Sequence, residues 1–280
     1  MVASVPALAC VNRIPTLHPQ WAILGGGTLS LRTLAGIDYT AADCLDVQQW
    51  KKNLASLVGA AIFFIGIHFL ISVSVLRDKI VSSIGEGRFR GVFSLLSLIG
   101  IIWLIRAYAR AEYVQLWGEP YSFRPLALIV MLLAFFFVVF AFTTPNPTAV
   151  GGEALLSGSE PAKGIQRITR HPFLWGVALW SFIHVIFNGD LASMIFFGSF
   201  FIVAIAGPFS IDRKRKRAVG DAWDRFASVT SNVPFLAIVE GRNALRVGEI
   251  GWWRAILAVI LYGVFLHFHK DFFGVSPLPL

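Results

Sequence analysis

Two histidines lie inside apolar runs of this chain, His68 in "AIFFIGIHFL" and His184 in "ALWSFIHVIF". An imidazole placed in a hydrocarbon-like setting costs free energy unless it finds a partner, so such a group is a functional candidate by default. His68 precedes Arg77 by nine residues, about 13 Å along a helix, and His184 follows His171 by thirteen, about 20 Å. If Arg77 and His171 mark the same membrane surface, the two depths differ by only about 7 Å. Two imidazoles at comparable depth on separate helices could hold one metal. A haem iron suits them, because bis-imidazole ligation takes one histidine from each of two helices. Zinc suits them less, since the runs offer no third or fourth cysteine, histidine or carboxylate. The alternative is a structural histidine satisfied by a backbone carbonyl or by a hydroxyl such as Ser181, three residues before His184. Residue types and depth leave both readings open.

A second group surrounds "RITRHPFLW". His171 opens an apolar helix, and Pro172 follows at a first-turn position where a missing N–H is harmless. Arg167 and Arg170 stand beside it. The free N–H groups and dipole of a helix start favour negative charge, so Arg167, Arg170 and His171 read as a clamp for an anion or a haem propionate. The competing reading is a helix start with topological anchoring. His171 and His184 lie about 140° apart around a helix, so they do not simply face one site. His267 and His269, where the last apolar run reaches the surface, read as solvated interfacial residues. His18, in the N-terminal tail, carries no signal. "DRKRKR" (212–217) reads as topology, and "GDAWDRFASVTSNVPF" (220–235) as an amphipathic segment on the cytoplasmic face.

The elements that must position these residues are helices. Only 14% of the 280 residues are charged and 56% are hydrophobic, whereas a soluble domain carries about 25% charge. The net charge of +8 does not indicate nucleic acid, because the basic residues cluster in short loops between apolar runs. Runs near 55–76, 91–109, 125–143, 172–188, 191–211 and 252–269 are each near the roughly 20 residues a bilayer crossing needs. The fold class is therefore an all-α polytopic membrane bundle of about six transmembrane helices, its partner the membrane lipid. The fourth and fifth runs, joined by Asn188-Gly189-Asp190, should form an antiparallel hairpin. Arg77 to Arg90, Lys163 to Arg170 and Asp212 to Arg246 fall on one side, which makes that side cytoplasmic and puts both termini outside. Trp103, Trp117, Trp252 and Trp253 fall at span ends as belt residues. Residues 144–165 read as a loop. Residues 1–50 form an extension, poorly ordered or a targeting segment, and 51–280 the membrane domain. Cys10 and Cys44 offer neither a disulfide framework nor a cysteine metal site.

The stretches "GIHFLISVSVLRD", "GRFRGVFSLLSLIG", "RITRHPFLWGVALWSFIHVIFNGDLASMIFFG", "IDRKRKR", "TSNVPFLAIVEGR" and "GWWRAILAVILYGVFLHFHKDFFGVSPLP" resemble the NnrU family of bacterial membrane proteins, to which the plant 15-cis-zeta-carotene isomerases are related. The resemblance runs from about residue 55 to 278. It implies haem b in a helical bundle with His68 and His184 as axial ligands. It also implies a redox-dependent cis–trans isomerisation of an apolar polyene, 9,15,9′-tri-cis-zeta-carotene. The isomerases carry a cysteine three residues before the second ligand. This chain has Ser181 there, so an exchange of ligands through that cysteine does not carry over. NnrU proteins are associated with nitrogen-oxide metabolism, which implies a second reading, a non-enzymatic membrane component of denitrification. A more distant likeness, through Arg170-His171-Pro172, is to isoprenylcysteine-type membrane methyltransferases, whose later acidic pair is matched only weakly by Asp212. A bacterial inner membrane is the expected location, with a plastid membrane as the alternative.

Overall fold

The structure is a computed structural model that describes residues 21–24, 28–32, 38–71, 75–148, 152–157 and 162–278. The expectations for residues 1–20, with Cys10 and His18, lie outside the described residues. Three short strands come first: β1 (Trp21–Leu24), β2 (Thr28–Arg32) and β3 (Asp38–Thr40), paired as an antiparallel meander. Among the described residues after them there are helices, turns, irregular links and one isolated bridge between Gln115 and Asp190. Helix α1 (Ala41–Gly66) passes into a π-helical turn (Ile67–Ile71) that carries His68. Then come α2 (Val75–Ile84), α3 (Glu86–Tyr108), α4 (Arg124–Thr143), α5 (Pro172–Asn188) and α6 (Leu191–Val219). The short α7 (Asp221–Ser228), α8 (Leu236–Val239) and α9 (Val247–Ile250) lead to α10 (Trp252–His267) and α11 (His269–Phe273). Residues 41–50, grouped by sequence with the extension, belong to α1.

The six expected apolar helices are all present, at two lengths. Segments Val47–Leu70, Glu86–Tyr108, Tyr121–Thr143 and Leu191–Val219 are long and apolar enough to cross a bilayer. Helices α5 and α10, at 17 and 16 residues, are shorter, about 25 Å each. Rows of large apolar side chains stand exposed on α3 (Leu95, Ile102), α4 (Leu126, Ile129) and α10 (Ile256, Ile260). In water such rows would drive association; facing lipid they need no other cover.

The helices pack side by side in the order α10, α4, α5, α6, α1, α3. Two local devices set this arrangement. Gly176 of α5 lies so close to α4 that a Cβ there would meet Ala134 O at 3.0 Å and Val138 N at 3.2 Å. This is the small-residue contact by which membrane helices approach closely. The hairpin between α5 and α6 turns at Gly189, left-handed with φ 65°, and the Asp190 carboxylate caps α6 by accepting from Ser193 N at 3.0 Å. Inside the bundle, Leu57, Phe64, Leu104, Ala107 and Phe196 form the core where α1, α3 and α6 meet. A second core joins Phe137 and Phe140 of α4 to Ile165 and Ile168.

The loop of 144–165 contains 3-10 turns at Gly152–Ser157 and, at its end, Gly164–Arg167. Helix α7 is amphipathic, as expected, yet its apolar face is spent on the protein: Trp223 and Phe226 pack against Leu156 and Ala162.

Candidate functional site

At the N-terminal end of α5 the segment 164–171 is largely buried, and its charged side chains are held by other parts of the chain. His171, at the N-cap position before Pro172, donates from Nε2 to Asp212 Oδ1, 2.6 Å away, and Arg170 Nη2 donates to Asp212 Oδ2 at 2.7 Å. The His171 and Arg170 side chains are only 2% and 12% exposed. Arg170 Nη1 also donates to Thr230 O at 2.9 Å, and its guanidinium lies over Trp223. Arg167 makes a two-pronged contact with Glu249, Nε at 2.8 Å and Nη2 at 3.0 Å, and reaches Asn243 Oδ1 at 2.7 Å. Glu249 also accepts from Gly164 N at 2.9 Å. Hydrogen bonds from Arg167 foremost hold the Glu249 carboxyl at about 2, below its ordinary 4.5.

The segment 230–235 completes this plug. Thr169 Oγ1 and Trp175 Nε1 both donate to Asn232 O, at 2.6 and 2.8 Å, and Phe235 N donates to Ile168 O at 2.9 Å. Thus "RITRHP" and "TSNVPF", more than sixty residues apart in sequence, are one hydrogen-bonded unit. Arg167, Arg170 and His171 do bind anions, but the anions they hold are carboxylates of this chain, Glu249 and Asp212. That pairing also occupies the Arg-His-Pro group on which the likeness to methyltransferases rested.

The two intramembrane histidines sit elsewhere, around an aromatic layer. His68 Nδ1 lies 2.7 Å from Phe64 O, and His184 Nδ1 lies 2.7 Å from Trp180 O. A carbonyl only accepts, so both Nδ1 atoms carry hydrogen, which leaves Nε2 of a neutral ring with a lone pair. A backbone carbonyl on the far nitrogen is the usual way a metal-binding imidazole is oriented. His68 stands in a π-helical turn, a local widening that often marks functional positions.

The donor chemistry therefore suits ligation; the spacing can be read from the packing. Phe64 and Trp180 both meet Phe200 of α6, with ring centres 4.9 and 5.5 Å apart. Helix α1 runs in the same direction as α6, with Leu54 beside Leu191, while α5 runs against it from the hairpin. From the Phe200 layer, four residues along α1 lead inward to His68, and four along α5 lead outward to His184. Along the helix axes that sets the two backbone positions on the order of 10 Å apart, while each ring folds back toward the layer, His68 onto Phe64 and His184 onto Trp180. Their neighbours agree: His68 packs on Phe93, near the start of α3, whereas His184 stacks on Phe197, which also touches Tyr108 at the end of α3. One iron shared by two imidazoles needs their nitrogens about 4 Å apart, across two bonds of about 2 Å. His68 and His184 both carry the donor chemistry for it. They approach the same aromatic layer from opposite ends.

These helices lie within the stretch that a family model described as NnrU protein matches, residues 56–277. The chain belongs to the NnrU family. Among proteins of known activity, this NnrU-family chain is similar to the 15-cis-zeta-carotene isomerase, chloroplastic, of Arabidopsis thaliana, 28% identical over 202 residues. That match takes in 70% of this chain and 53% of the isomerase. The Zea mays protein of the same name is 26% identical over 174 residues, 61% of this chain and 47% of its own length. The chain thus spans about half the length of the curated relatives it matches. No solved structure matches it.

Three residues at these sites were not among the candidates for a site that the sequence offered. Asp212 stood in a topological basic run and matched a methyltransferase acidic pair only weakly. Glu249 stood unremarked beside Arg246. His269, read as a solvated surface residue, lies against His184 with ring centres 6.4 Å apart. A usable signal existed for the last: α5 ends at Asn188, four residues after His184, and His269 follows α10 by two residues, so if the helices alternate across a membrane both histidines fall near the same surface.

Proposed function

We propose that this NnrU-family protein is a membrane isomerase of an apolar cis-polyene, of the type named by its plant relatives, and that the substrate lies along the aromatic layer of α1, α3, α5 and α6. The observation that carries the reading is the layer itself: Phe64, Phe93, Trp180, Phe197 and Phe200, flanked by two imidazoles with fixed Nδ1 hydrogens. Aromatic faces offer a conjugated hydrocarbon polarisable apolar contact with little side-chain entropy to lose. The residues of this chain would bind and orient the polyene and keep water from it. A haem b, if bound, would be held by His68 and His184 through Nε2 and would supply the redox chemistry that the family resemblance implies. The names of the relatives favour a plastid membrane, and the basic loops on one side favour a bacterial cytoplasmic membrane equally well.

The test is pigment conversion in the dark, in bacterial cells that accumulate 9,15,9′-tri-cis-zeta-carotene. Expression of this protein should remove the 15-cis isomer, and Phe200→Ala should slow that conversion about tenfold or more while the protein still reaches the membrane. Wild-type protein confirmed in the membrane fraction with the pigment unchanged would sink the reading and favour the non-catalytic alternative.

A further inference from the structure

Helices α1 and α3 leave a groove between them whose two ends differ in kind. The helices run in opposite directions: Trp103 Nε1 donates to Ser56 Oγ at 3.1 Å, and further along α1 a Cβ on Gly100 would meet the Phe63 ring at 3.2 Å. Beside that hydrogen bond a groove of about 400 Å³ opens, walled by Ile99, Ile102 and Trp103 at one end and by Arg106 and Arg110 at the other. The first four follow at three- and four-residue steps on one face of α3, and Arg110 continues the row in the turn beyond the helix. Ile99, Ile102 and Trp103 are exposed, so no other helix covers this face. Lys52 stands one turn before Ser56 on α1, and in an antiparallel pair that step leads toward the arginine end.

Three cations thus gather round one end of the groove, and among the described residues none of their side chains makes a hydrogen bond or an ion pair. Elsewhere in the molecule the pattern is different: Arg77 and Arg90 hold Glu86, Arg124 holds Glu119, and Arg170 holds Asp212. Glu112, the carboxylate nearest in sequence, lines another hollow with Trp50 and Leu54. The cations also stand at the opposite end of α1 and α3 from Arg77 to Arg90, so the loop charges that orient the bundle do not account for them. Cations at a helix end ordinarily reach for the headgroup layer as anchors; here a concave surface lies between them. Its chemistry selects one occupant. Guanidiniums one turn apart, about 6 Å, suit the oxygens of a phosphate, and the isoleucines with the indole suit an acyl chain. A soluble anion would leave the apolar end bare, and a neutral hydrocarbon would leave the cations unmatched. A zwitterionic headgroup would bring a positive charge that no carboxylate of the groove receives.

We propose that the groove between α1 and α3 holds one anionic phospholipid, its phosphate among Lys52, Arg106 and Arg110 and an acyl chain along Ile99, Ile102 and Trp103. The site stands independently of the isomerase reading. The test is native mass spectrometry of the full-length protein in detergent, titrated with phosphatidylglycerol and, separately, with phosphatidylcholine of the same chains. One phosphatidylglycerol should bind about fivefold or more tighter than phosphatidylcholine, and a large excess of inorganic phosphate should not displace it. Binding should weaken about tenfold or more in the double variant Arg106→Gln with Arg110→Gln. The double variant Arg213→Gln with Arg217→Gln removes the same charge from the far end of α6 and should bind as wild type does. Gel filtration and circular dichroism identify folded material. Should the first double variant misfold, Arg110→Gln alone, outside the helix, should weaken binding about fivefold. The proposal is overturned if phosphatidylcholine binds as tightly, if inorganic phosphate displaces the lipid, or if the arginine variants at the groove bind as wild type. It is equally overturned if the far-end variant loses as much, or if the protein forms a dimer that takes up no lipid, which would give the groove to a second copy of the chain.

Discussion

Asp212 shows what a single carboxylate does at the mouth of this bundle. It accepts from Arg170 and His171 together, and both of those side chains are largely shielded from water. Removing it leaves buried positive charge and donors without a partner, so Asp212→Ala should lower stability by about 3 kcal/mol, and Asp212→Asn by less. Thermal unfolding in detergent would show this, and an unchanged midpoint for the alanine variant would contradict it. Glu249 makes a pH prediction. Its carboxyl titrates near 2 in the folded protein and near 4.5 when free of Arg167. The folded state therefore binds fewer protons across that window. The clasp is complete above about pH 4.5 and is lost progressively as the pH falls toward 2. Midpoints measured from pH 6 down to pH 3 should decline, and Glu249→Gln should show a shallower decline over the same range. Neither carboxylate could be assigned from sequence, because each partner lies 42 or 82 residues away and nothing local couples them.

At the scale of elements, the sequence was most informative where a helix is determined by its own residues. Pro172 starting α5 and Asn188-Gly189-Asp190 turning the hairpin are local properties, and the structure repeats them. What a helix touches is not local. The depth argument made the depths of His68 and His184 differ by about 7 Å, but it measured each from its own loop and carried no account of which rings lie between. The structure places Phe200 in contact with both Phe64 and Trp180, the residues one turn before each histidine. The α4–α5 crossing makes the corresponding prediction for packing. A Cβ at Gly176 would already press on Val138 and on the Ala134 carbonyl. Gly176→Leu should therefore force the helices apart, at a cost of about 1–3 kcal/mol or more. A thermal midpoint within a degree of wild type would show that the crossing has slack.

For the whole molecule, the membrane class followed from composition and run length, which need no knowledge of packing. The basic loops set its orientation: a cysteine replacing Arg213 should label only from the cytoplasmic side and one replacing Phe273 only from the other, in a background without Cys10 and Cys44. Labelling of both from one side would invert or break the topology. The unequal lengths of the helices carry a further consequence. Helix α10 stands at the edge of the row, bare toward lipid, and its 16 residues reach about 24 Å against a hydrocarbon core of about 30 Å. Acyl chains along that flank must compress to meet it. The pinch draws headgroups and water toward the ends of α10, so the polar residues there meet a wetter boundary than a bilayer of even thickness would give them.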